Sequence, residues 1–143
     1  MTSQLYEKIL IAIDGSDRNK TAIEEGIRIA RSCGATVFAV YVKDIHRYNA
    51  TPTDVIMVDL QVAIQKLAEE ALAIVHTFSE GVQVENVVLE GKPEVEIVRF
   101  AEEKGIDLIV IGTNAKRGFE RLLLGSVAEQ VIRTTSCKTL VVK

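Results

Sequence analysis

Short unbroken runs of apolar residues alternate along this chain with longer stretches in which apolar side chains recur every three or four positions. KILIAID, residues 8–14, is the first run, closed by Asp14-Gly15, and has the form of a strand buried on both faces. Behind it Ala22, Ile23, Gly26, Ile27 and Ala30 return at helical spacing, and Gly34 stands where a helix end wants a left-handed residue. ATVFAVYV, residues 35–42, is a second buried strand, rich in β-branched and aromatic side chains. Residues 43–53 are polar, contain Pro52 and have no period, which predicts a loop. A long helix follows with Leu60, Ile64, Leu67, Ala71, Leu72 and Val75 on its inner face, ended by Gly81. Residues 82–90 read as a third strand. Gly91 and Pro93 then open a third helix with Val95, Ile97, Val98 and Ala101 inward and Gly105 at its end. Residues 107–112 form a fourth strand, residues 126–134 a fourth helix, and TLVVK, residues 139–143, a last strand.

The order is βαβαβαβαβ. Strict alternation of buried strands with amphipathic helices predicts an α/β fold, an open five-stranded parallel sheet with helices on both faces. At 143 residues, 48% hydrophobic and 26% charged, the chain suits one globular domain over residues 1–143. A net charge of −3 gives no basic footprint, so neither nucleic acid nor an anionic membrane is an expected partner. No run of about eighteen apolar residues and no secretory leader pattern is present, and Cys33 and Cys137 are lone thiols in no metal-binding spacing. The expectation is a cytoplasmic protein. TLVVK would lie uncovered at a sheet edge, which invites pairing with a second copy, so a homodimer through residues 139–143 is expected unless the fourth helix shields that strand.

One feature exceeds the needs of packing. Between the fourth strand and fourth helix the chain runs from Gly112 to Ser126, whereas such loops usually take about two to six residues. Gly112 ends the strand where a Cβ would obstruct anything approaching the backbone. Gly125-Ser126 sits at a helix start, where unpaired amides and the helix dipole attract a phosphate. Ser126 has a plain alternative role as an N-cap, worth about 1 kcal/mol. The basic residues Lys116, Arg117 and Arg121 have one as a solvated surface. Asp14, at the end of the first strand, can equally be a turn or capping residue.

The segment GTNAKRGFERLLLGSVAEQVIRTTSCKTLVV resembles the C-terminal signature of the universal stress protein family, Gly-x2-Gly-x9-Gly-[Ser/Thr], and the likeness extends over the chain from KILIAIDGS onward. Gly112 matches the first glycine and Gly125-Ser126 the final pair; Ala115 stands where ATP-binding members carry the second glycine. The resemblance implies a Rossmann-like, adenine nucleotide alpha hydrolase-like sheet of order 3-2-1-4-5, with strands one and four meeting at the switch point where such sheets bind ligands. It also implies ATP as ligand. Ile13 and Val42 would hold adenine, and Asp14 would lie beside the ribose and phosphates. Ile111, Gly112, Asn114, Ala115, Gly125, Ser126 and Val127 would form the phosphate side. Magnesium would arrive with the triphosphate, Asp14 being its nearest carboxylate.

The expected function is a nucleotide-binding, dimeric stress-response module that acts through occupancy rather than turnover. There is no Walker A sequence, no acidic cluster for catalytic Mg²⁺ and no evident base, and His46 and His76 stand alone. The alternative is a family member that works as a dimeric interaction protein without ATP. Ala115 argues for it, since a Cβ at a position of positive φ costs on the order of 1 to 2 kcal/mol. An ATP pyrophosphatase would show a Ser-Gly-Gly-rich loop after the first strand, and a receiver domain an acceptor Asp after the third; DGSDRN and Glu90-Gly91 fit neither.

Overall fold

The computed structural model describes residues 5–44, 54–113 and 124–143, with the first turn of the long helix, residues 54–58, described by its backbone alone. The elements run β1 (Lys8–Ile13), α1 (Asn19–Cys33), β2 (Thr36–Lys43), α2 (Asp54–Phe78), β3 (Val84–Glu90), α3 (Pro93–Lys104), β4 (Leu108–Gly112), α4 (Ser126–Thr134) and β5 (Lys138–Val142). All five strands are parallel, in the order β3-β2-β1-β4-β5. Every expected element is present, with bounds shifted by a residue or two.

The two sides of β1 explain its sequence. Ile9, Ile11 and Ile13 pack into a core with α1 and α2, while Leu10 and Ala12 pack into the opposite core with α3 and α4. A central strand covered on both faces has no position left for a polar side chain. Gly26 is needed for the approach of α1, because a Cβ there would lie 2.5 Å from Cδ1 of Ile11. Gly34 ends α1 at φ 71°, and its amide donates to the carbonyl of Ala30.

Two inner-face expectations are corrected. Leu67 is 48% exposed and Val95 53%. The buried stripe of α2 passes through Ile64, Ala68, Ala71, Leu72 and Val75. Leu67 lies one residue before Ala68, about 100° around the helix. In α3 the buried residues are Ile97, Phe100 and Ala101, and Val95 precedes Ile97 by about 200° of rotation. Cys33 and Cys137 are separate free thiols. Burial, and then the negative charge of Asp107, push the Cys137 thiol above its ordinary range, and its Sγ donates to the carbonyl of Ile106 at 3.2 Å.

Candidate functional site

The order 2-1-4 brings the C-terminal ends of β2, β1 and β4 together, and α3 and α4 begin beside them. Between these elements lies a cleft of about 500 Å³. Its walls include Ile13, Asp14, Val42, Ile111, Gly112, Gly125, Ser126 and Val127, eight site residues expected from the sequence. The other two, Asn114 and Ala115, lie outside the described residues, as do Lys116, Arg117, Arg121 and His46. The sequence did not single out Asn19, Tyr41, Asp44, Thr113, Pro93, Glu94 or Ile97, which also line the cleft.

Asn19 sets the floor. It is 4% exposed, and among the described residues it is the buried polar side chain of the core. Its Nδ2 donates to the carbonyl of Ala12 at 3.0 Å, and its Oδ1 accepts from the amide of Asp14 at 3.1 Å. One amide side chain thus closes the fraying end of β1, where the sheet no longer supplies partners. Asp14 is held in turn: its Oδ1 accepts from the amide of Ser16 at 2.8 Å and from the Ser16 hydroxyl at 2.7 Å. This is the turn role foreseen for Asp14 rather than a capping one, since the N-cap of α1 is Arg18.

At the opposite wall the chain leaves β4 through Thr113 and returns at Gly125, and the two are tied, the Gly125 amide donating to the Thr113 carbonyl at 2.6 Å. The Thr113 amide donates to the carbonyl of Val142 at 3.1 Å, which anchors this junction to β5. Gly125, not Ser126, is the N-cap of α4, so Ser126 is not the cap but the first residue of the helix. Gly125 has no side chain to offer, and no side-chain cap bond is made. The opening residues of α4, Gly125, Ser126 and Val127, thus line the cleft with no side-chain cap bond among the described residues, and the positive end of the helix dipole lies at this wall.

Alternation along β4 sends Ile111 toward α3 and α4, so the missing side chain of Gly112 points toward α1, where a Cβ would lie 3.8 Å from Cβ of Ala22 and 3.9 Å from the carbonyl of Val142. These are ordinary contacts, so packing alone does not demand glycine here. What its absent Cβ leaves open is a smaller adjoining cavity of about 240 Å³, which shares Asp14, Asn19, Gly112 and Thr113 with the cleft.

Among the described residues no group of three or more metal-ligating side chains comes together, and no helix is long and apolar enough to cross a membrane. The cleft lies at the switch point of an open parallel sheet, the place where α/β domains of this class commonly hold ligands, and the start of α4 edges it. The universal stress protein family model matches residues 5–143, and the chain belongs to that family. It is 44% identical over 141 residues to a universal stress protein of Methanocaldococcus jannaschii, covering 97% of this chain and 83% of that protein. The fold matches the universal stress protein UspA from Lactobacillus plantarum with a TM-score of 0.78 and 27% identity, over 96% of this chain and 98% of the other. It also matches a universal stress protein from Archaeoglobus fulgidus solved in complex with dAMP, with a TM-score of 0.68 and 26% identity over 97% and 99% of the two chains.

Proposed function

We propose that this universal stress protein binds an adenine nucleotide, with ATP as the ligand, and acts through the occupancy of the cleft as a dimeric, cytoplasmic stress-response module. The observation that carries the reading is the start of α4, where Gly125 caps without a side chain and the first residues of the helix line the cleft. Phosphate oxygens are the natural partners of the main-chain amides that open a helix. The dAMP complex of the Archaeoglobus fulgidus relative supports the same class of ligand. Ser126 and Val127 then serve the phosphates, Asp14 the ribose with any magnesium that accompanies the triphosphate, and Ile13 and Val42 the base. Asn114 and Ala115 complete the phosphate side in this reading. No catalytic base is assigned, and the protein is not proposed to be an enzyme.

A thermal-shift titration tests this. At about 100 times its Kd, ATP adds roughly 2.7 kcal/mol of stability, which for a chain of this size raises the Tm by roughly 5–10 °C. An unmoved Tm at millimolar ATP favours the second reading, a dimeric interaction protein without ATP, for which the specific observation is Ala115 in place of the motif glycine.

The dimer rests on β5. It lies at the sheet edge, and Leu140, Val141 and Val142 are only half-buried in the single chain, so α4 does not shield them completely. Pairing of β5 with its counterpart in a second copy would satisfy the open edge by a two-fold operation. Sedimentation at micromolar concentration is expected to give the mass of two chains; a single-chain mass would remove this part of the proposal.

A further inference from the structure

The smaller cavity of about 240 Å³ beside the cleft differs from it in charge. The turn from β1 into α1 forms one wall, through Ser16, Arg18 and Thr21, and the ends of β4 and β5 form the other, through Thr113 and Lys143. The described walls of the cleft carry three carboxylates, Asp14, Asp44 and Glu94, and no lysine or arginine. The small cavity sets Arg18 and Lys143 against one carboxylate, Asp14. That carboxylate is already engaged, since its Oδ1 accepts from the amide of Ser16 at 2.8 Å and from the Ser16 hydroxyl at 2.7 Å. Thr21 and Thr113 add hydroxyl donors.

Charge and donors select an anion, and the volume selects a small one, because it falls below the roughly 300–1,000 Å³ of clefts that enclose whole drug-sized ligands. A guanidinium, an ammonium and hydroxyls offered from two walls suit a group with several oxygens and about two negative charges, which is phosphate rather than a carboxylate. Gly112 stands where the two cavities join: it lines both, and a Cβ there would meet only ordinary contacts at 3.8 and 3.9 Å. Its glycine leaves a passage that packing does not require. We propose that the small cavity is a second anion site, holding one phosphate group between Arg18 and Lys143, apart from the α4 corner assigned to the 5′-phosphates. That group arrives free from solution or attached to a ligand in the cleft. Asp14 and Asn19 belong to both walls, and in the nucleotide reading, on which this second source rests, Asp14 lies beside the ribose, whose 3′-oxygen can carry a phosphate across the join.

The test is calorimetric titration at low ionic strength, where exposed charges are least screened, with inorganic phosphate, AMP and adenosine 3′,5′-bisphosphate. The native chain is compared with the double variant Arg18→Gln, Lys143→Gln; both residues are exposed, and a melting curve checks that the variant is folded. If the phosphate is free, the native chain binds inorganic phosphate and the double variant binds it at least about tenfold more weakly. If it is carried on the ribose, the bisphosphate binds the native chain at least about tenfold more tightly than AMP, and the double variant brings the two together. A native chain that binds AMP but gains nothing from the 3′-phosphate and takes no inorganic phosphate overturns this site and leaves nucleotide binding standing. A gain that survives in the double variant overturns it as well. Inorganic phosphate held through Arg18 and Lys143 by a chain that binds neither nucleotide supports the site and overturns the nucleotide reading.

Discussion

Replacing Gly125 with valine is expected to weaken ATP binding about a thousandfold while leaving the fold intact. The backbone there has φ −57° and ψ 152°, a conformation open to any residue, so no left-handed strain accompanies the substitution. The amide that donates to Thr113 is retained, and the base of the loop stays tied. What changes is access. A branched side chain at the cap position stands where phosphate oxygens must approach the amides of Ser126 and Val127. Hydrogen bonds to charged groups contribute about 1.5–3 kcal/mol each, so losing two of them amounts to roughly 4 kcal/mol, or about three orders of magnitude in Kd. Calorimetry measures the affinity and a melting curve the fold. Native affinity in a folded variant would mean that ligand does not reach α4.

The second large effect is expected at Asn19. Replacing it with alanine removes the partner of two main-chain groups, the carbonyl of Ala12 and the amide of Asp14. Unpaired buried polar groups cost about 1–3 kcal/mol each, and the expected loss is about 3–4 kcal/mol, or roughly a 10 °C fall in Tm. Urea unfolding should show the same loss as a lower midpoint at unchanged slope. Because Asn19 also fixes the chain at Asp14, ATP affinity should fall in the surviving folded protein. A midpoint within experimental error of the native one would show that these groups find other partners.

The fold was legible because its strands are short and two-sided and its helices keep one apolar stripe. Ile9 to Ile13 could belong to nothing but a covered strand, and Ala22, Ile23, Ile27 and Ala30 to nothing but the inner face of a helix. The errors, Leu67 and Val95, fell at the margins of helical stripes, where apolar identity stops predicting burial and only the contact with the neighbouring element decides it. The strand order came from the family likeness, since alternation alone does not specify which strands are neighbours.

The site was legible where the backbone performs the task. Gly125 and Ser126 stand out through their spacing and the length of chain before them, and the structure sets both on the cleft. Gly112 also lines the cleft, while the face of the sheet toward which its missing Cβ points depends on register, which the motif does not carry. Asn19 was invisible: within DGSDRN one polar residue looks like the next, and only the packing of α1 against the end of β1 buries it. Asp44 was hidden in the same way, as the first polar residue after a strand. Side chains that satisfy main-chain groups across elements leave no period and no motif in the sequence.

The most direct test of the account is a crystal structure of this chain with ATP bound. The expected result has phosphate oxygens about 2.7–3.2 Å from the main-chain nitrogens of Ser126 and Val127, with the base beside Val42. A nucleotide bound elsewhere, or that corner of the cleft filled by the protein's own atoms, would contradict it.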